Sequence, residues 1–143
     1  MLTKSGQTRL MFCAAVIVAG VAGIGVDRII LAQASGITRT ELTRTNVPGS
    51  TTYEAIMGIA EIAPGAASGR HFHHGVELGY VLQGTLAVER PDGSIVTYKE
   101  GQAFKNPETE IHNAKSSGTT PVKLLAVYIV EKGKPLAMPA PVK

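Results

Sequence analysis

His71 and His73 stand with a single residue between them, Glu77 follows, and His112 returns 39 positions beyond His73. Imidazole and carboxylate donors together suit Zn, Mn, Fe, Ni or Cu better than Ca or Mg, which prefer oxygen shells. Alternate side chains of a strand share a face, so His71 and His73 point one way and Phe72 the other. Gly75 permits a bend that other residues resist, after which Glu77 can turn back toward the same centre. His112 must arrive from a different strand. Three imidazoles and one carboxylate leave open positions on an octahedral ion, which marks a catalytic or ligand-binding metal rather than a closed structural zinc. The only cysteine, Cys13, lies in the apolar N-terminal segment, so no thiolate closes the shell. The chain has four histidines, and three of them fall within residues 71–74, a crowding that scattered surface polarity does not produce. His74 is read as an alternative ligand or an exposed side chain.

Few other residues invite chemistry. Ser68 and Ser94 lack the context of a nucleophile elbow, so a hydrolase triad is unsupported and the catalytic residues stay unknown. Arg70 precedes the first histidine, but alternation points it away from the His71 face, which argues against contact with an anionic substrate. Gln83 and Asn113 are candidates to hydrogen-bond the second nitrogen of a ligand imidazole, and Glu108 and Glu110 are expected to face solvent. Tyr80, Phe104 and Tyr128 are expected inside, as core more readily than as substrate contacts.

The elements that must position these groups read as short strands. Thr51 to Ala63, Val76 to Gln83, Thr85 to Arg90, Ser94 to Tyr98, Gln102 to Lys105 and Val122 to Val130 carry the strand patterns, with an edge strand around Thr38 to Thr43. Gly and Pro punctuate them: Pro64-Gly65, Gly84, Pro91-Asp92-Gly93, Glu100-Gly101 and Ser116-Ser117-Gly118. Pro91-Asp92-Gly93 is a tight hairpin turn, with proline presetting its backbone and glycine accepting positive φ. Leu86 and Val88 share one face of their strand. Val122 to Val130 is apolar on both faces and belongs in an interior or at an interface. No helical periodicity of useful length follows residue 34. Many strands with Gly and Pro turns predict an all-β, single-domain sandwich or barrel.

The spacing carries a family resemblance. Gly65, five residues, His71, one residue, His73, three residues, Glu77, six residues and Gly84 resembles the first motif of the cupin superfamily at every interval. Gly101, five residues, Pro107 and then His112 is similar to the second motif, with Thr109 where the family usually has glycine and Asn113 earlier than the usual asparagine. The resemblance implies an antiparallel β-barrel of jelly-roll type with a metal in its mouth, held by His71, His73, Glu77 and His112. It also implies a small-molecule ligand and the homodimers common in that family. Within it the chemistry stays open. A redox metal would permit dioxygenase chemistry, and Zn or Mn would favour isomerase, lyase or hydrolytic chemistry. A non-catalytic module with a mainly structural metal is the alternative.

The N-terminus differs from the rest. Lys4 and Arg9 precede an apolar run from Leu10 to Val26, Asp27-Arg28 interrupt it, and Ala32-Gln33-Ala34 ends it. This pattern predicts a secretory signal peptide over 1–34, with an uncleaved membrane anchor as the alternative. Either places residues 35–143 in the periplasm, secreted, or on the outer side of a membrane. Residues 35–50 read as an N-terminal arm and 131–143 as an extended surface tail. Three of the fourteen Lys and Arg and one of the eleven acids lie in 1–34, leaving eleven against ten, a balance of +1. The basic character thus belongs to the leader, and with no basic patch interleaved with aromatics, nucleic-acid binding is excluded.

Overall fold

The computed structural model describes residues 36–141, so the expected leader lies outside the described residues. Ten strands and no helix make up the described chain. They are β1 (Ile37–Asn46), β2 (Tyr53–Ile62), β3 (His71–Phe72), β4 (Gly75–Gln83) and β5 (Thr85–Glu89), then β6 (Ile95–Lys99), β7 (Ala103–Asn106), β8 (Asn113–Ser116), β9 (Val122–Glu131) and β10 (Met138–Pro139). A five-stranded antiparallel sheet has the order β1-β2-β9-β4-β7, a three-stranded sheet the order β6-β5-β8, and β10 pairs with β3. No helix in the described chain is long and apolar enough to cross a membrane.

Alternation explains why these segments pack as they do. The central strand β9 turns Val122, Leu124, Ala126, Tyr128 and Val130 inward, all buried. β4 turns Gly75, Glu77, Gly79 and Val81 inward and leaves Leu78, Tyr80 and Leu82 on the outer face at 45%, 44% and 39% exposure. Leu86 and Val88 of β5 are wholly buried against them. Tyr80 therefore does not line the interior as the sequence reading placed it, whereas Phe104 and Tyr128 do.

The expected barrel is present as facing walls, but its ladder does not close. Strands change sheet at Gly84, which takes a φ of +83° and lies so close to Pro121 that a Cβ would meet its carbonyl at 2.6 Å. They return through residues 100–102, cross again through 107–112 and return through 117–121. Between residues 67–71 and 112–115 two isolated bridges, Ala67 with Lys115 and His71 with His112, replace a continuous ladder. The expected surface tail also differs. β10 lies antiparallel on β3, Ala140 N donates to Arg70 O, and residues 135–138 are half-buried. The arm, expected as a short edge strand, is a full ten-residue strand along β2.

Candidate metal centre

The four predicted ligands arrive by three backbone devices. His71 and His73 flank Phe72 on and just after β3, both inward and buried, while Phe72 turns out and meets His74 edge to face at 5.4 Å. Gly75 then begins β4 with a φ of +146° and packs directly on β9, where a Cβ would stand 2.1 Å from Ile129 O. That contact sets the inward parity of Glu77. His112 is brought in by its own backbone, because the main chains of His71 and His112 exchange two hydrogen bonds of 2.9 Å.

The side chains converge. One ring nitrogen from each of His71, His73 and His112 lies within 4.8 Å of the others. Glu77 Oε2 is 3.3 Å from His73 Nε2 and 3.4 Å from His112 Nε2. A shell of about 2.1 Å radius would set neighbouring donors ~3 Å apart and opposed donors ~4.2 Å apart. The carboxylate–imidazole distances fit neighbouring positions of such a shell. His74 points away from this group and is neither fully buried nor gathered with it.

The hydrogen bonds around the rings decide what the centre wants. Nδ1 of His71 faces Gly69 O at 2.9 Å, Nδ1 of His112 faces Glu110 O at 2.9 Å, and Nδ1 of His73 faces Leu136 O. A carbonyl only accepts, so each Nδ1 carries a proton and each ring aims its Nε2 inward. Burial pushes His71 down to about 4, helped by the neighbouring imidazole of His112. Burial would raise the Glu77 carboxyl, but the imidazoles of His112 and His73 outweigh it and hold the group well below the usual carboxylate range. Nε2 of His73 is buried with no hydrogen-bond partner. Such an orphan costs about 1–3 kcal/mol unless something satisfies it. Three inward Nε2 atoms around an ionised carboxylate call for positive charge among them, as protons or as a cation, and a divalent transition ion fits the donor set.

A second layer of residues fixes this arrangement, and the sequence reading missed most of it. Asn106 and Tyr128 stand in register with Glu77 on the strands either side of β4. Asn106 Nδ2 donates to Glu77 Oε2 at 2.6 Å. Arg90 Nη1 donates to Asn106 Oδ1 and to Glu110 Oε1, each at 2.8 Å, and Nη2 donates to Tyr98 Oη at 3.0 Å. One guanidinium thereby orients the amide that holds Glu77 and the segment whose carbonyl holds His112. Glu110 is thus engaged rather than facing open solvent. Gln83 and Asn113 do not serve the imidazoles: Gln83 is exposed, and Asn113 contacts Ser68 and Glu89. The Tyr128 hydroxyl is pushed well above its ordinary range by burial and by the Glu77 carboxylate beside it, so it stays protonated.

Beside the ligands opens a cavity of about 550 Å³, within the range of small-molecule sites. Its walls include Ile37, Ala60, Phe104 and Leu124 from the main core and Tyr128 and Leu136 from a second cluster. The ring of Phe104 covers the inner face of β4 because Gly79 has no side chain, and a Cβ there would fall 2.1 Å from Phe104 Cζ.

The family model of the cupin domain matches residues 58–128, which span all four converging side chains. This chain carries a cupin domain. Solved structures share its fold. The polyketide cyclase RemF from Streptomyces resistomycificus aligns with a TM-score of 0.62 at 22% identity, covering 80% of this chain and 79% of that one. An uncharacterised conserved protein with a double-stranded β-helix domain from Klebsiella pneumoniae aligns at 0.61 and 18% identity, covering 83% and 99%. A chain from crystal structures of DMSP lyases aligns at 0.60 and 18% identity, covering 73% of this chain and 53% of that one. No curated protein matches by sequence. At these identities the likeness establishes the cupin fold alone.

Proposed function

We propose that His71, His73, Glu77 and His112 hold a divalent transition metal, one of Fe, Mn, Zn, Ni or Cu, and that the cavity beside it receives a small organic ligand. The buried, partnerless Nε2 of His73 facing an ionised Glu77 carries this reading. Bound there, the metal would supply a Lewis acid or redox centre for chemistry of the lyase, isomerase, cyclase or dioxygenase kind. The chain's own residues would set the ligand tautomers through three backbone carbonyls, fix the carboxylate through Asn106, and shelter the ligand between Phe104, Leu124 and Tyr128. The cavity favours a ligand-binding centre over the alternative, a module whose metal is mainly structural.

Elemental analysis of protein purified from its own host tests the assignment. His71→Ala and His112→Ala should each lose most of the bound metal, and full occupancy in both variants would refute it. Another host could load the wrong ion, since raw affinity favours Cu and Zn over Fe and Mn. The leader pattern supports export, to be checked by mass spectrometry of the N-terminus after cell fractionation. The exposed Leu78, Tyr80 and Leu82 support a homodimer through the outer face of the larger sheet. Sedimentation should then show Leu78→Glu as a monomer where the unaltered chain is a dimer.

A further inference from the structure

Four arginines occur among the described residues, and three are neutralised by carboxylates: Arg44 by Glu41 and Glu54, Arg70 by Glu89, and Arg90 by Glu110. The fourth, Arg39, makes no ion pair or hydrogen bond to a described residue, yet it lines the cavity beside the candidate metal centre. An unpaired arginine on an edge strand usually serves solubility, with its head in open water. Arg39 is exposed too, but its surroundings differ. It shares the inward face of β1 with Ile37, which is 4% exposed, and stands in register with the buried Ala60 of β2. Its charge also acts on the Tyr128 hydroxyl, beside Glu77. The other arginine of the cavity wall, Arg70, is occupied by Glu89 at 2.5 Å.

We propose that the ligand of this cavity is a small organic carboxylate with an apolar body, and that Arg39 is the residue that selects it. The inference rests on the metal-and-ligand reading above and adds the ligand's class. A divalent ion with the Glu77 carboxylate leaves one positive charge at the centre, and Arg39 adds a second at the mouth. Between them lie apolar walls, Ile37, Ala60, Ile62, Phe104 and Leu124, with no free anion. A carboxylate matches the fork of a guanidinium with two parallel hydrogen bonds, and its single charge is met by the single unpaired arginine. The apolar body of the ligand then covers the walls, and an oxygen of the same molecule can face the metal.

The test uses the full chain with its metal content measured on every sample. Benzoate and salicylate are titrated against the unaltered protein, Arg39→Gln and Arg39→Lys, with benzamide and salicylamide as uncharged counterparts. The expected result is unchanged metal content, carboxylate binding weakened about tenfold in Arg39→Gln, and weakened less in Arg39→Lys, which keeps the charge but loses the fork. Amide binding should be the same in all three. Equal carboxylate affinity in Arg39→Gln, or no carboxylate binding by the unaltered protein at millimolar concentration, overturns the proposal. The metal readout keeps the two readings apart. Full metal without Arg39 dependence sinks the carboxylate selector alone. Arg39-dependent binding by protein that never holds metal sinks the metal centre and leaves the selector standing.

Discussion

The two halves of the candidate metal centre are built by different means. Residues 71–77 are held by backbone: β3 is paired, β4 is paired on both sides within a five-stranded sheet, and Gly75 is pressed onto β9. Residues 107–112 form a corner between two sheets, held by isolated contacts. These are the His71–His112 bridge, the Arg90 to Glu110 and Asn106 bonds, and Thr109 N donating to His73 O at 3.0 Å. A ladder fails as a unit with the fold, whereas a strapped corner can shift while the fold survives. Damage to the first half should therefore appear as lost stability, and damage to the second as lost metal affinity in a folded protein.

The largest effect is expected at Gly75. A Cβ there would lie 2.1 Å from Ile129 O and 2.7 Å from Val130 Cα, both backbone, and the φ of +146° is itself unfavourable for any other residue. Gly75→Ala should cost more than about 3 kcal/mol and lower the melting temperature by more than ~10 °C, or leave no soluble protein. Melting within a few degrees of the unaltered chain would show that the strand half is not fixed by this contact. Next comes Arg90, on the other side of the comparison. Arg90→Met removes the donors to Asn106 and Glu110 together. Metal affinity should fall roughly 10–100-fold, the usual effect of losing an outer hydrogen-bonding partner, in a protein that still folds. Competition against a chelator measures it. Arg44→Met, which disturbs only the exposed ion pairs with Glu41 and Glu54, should change affinity by less than about twofold. Equal effects in the two variants would dissolve the distinction.

The strand half was legible in the sequence because its information is local. Period-two alternation gave β4 and β9 nearly to the residue, the Pro-Asp-Gly hairpin formed as its turn chemistry requires, and the spacing of His71, His73 and Glu77 gave a common face. The same parity held an unused signal: if Glu77 points in, then Leu78, Tyr80 and Leu82 point out, so Tyr80 could have been placed correctly. What lies around the ligands was hidden for a physical reason. The imidazoles are oriented by main-chain carbonyls of Gly69, Glu110 and Leu136, and a carbonyl leaves no trace in residue type. Asn106 and Arg90 act through cross-strand register, which no short stretch encodes. The tail offered charges and then scattered prolines with no strand pattern, and its role as a wall of the cavity comes from pairing β10 with β3, a contact that spans 60-odd residues of chain.

Thr109 offers the smallest and sharpest test of the corner. It sits where the family pattern usually has glycine, and it takes a φ of +59°, the left-handed region that a β-branched side chain enters only under strain. The strain is tolerated because the residue is tied on both sides. Its amide reaches His73 O, and its hydroxyl donates to Glu108 O at 2.7 Å. The amide bond stitches the corner to the strand half, so the conformation itself serves the site. Asparagine tolerates this backbone region far better than threonine and keeps the amide that bonds His73. Thr109→Asn should therefore stabilise the protein by about 1 kcal/mol, raising the melting temperature by several degrees, with metal affinity unchanged. A loss of affinity would mean that the threonine side chain, rather than the turn it completes, holds the corner in place. A loss of stability would mean that the left-handed conformation costs this chain nothing.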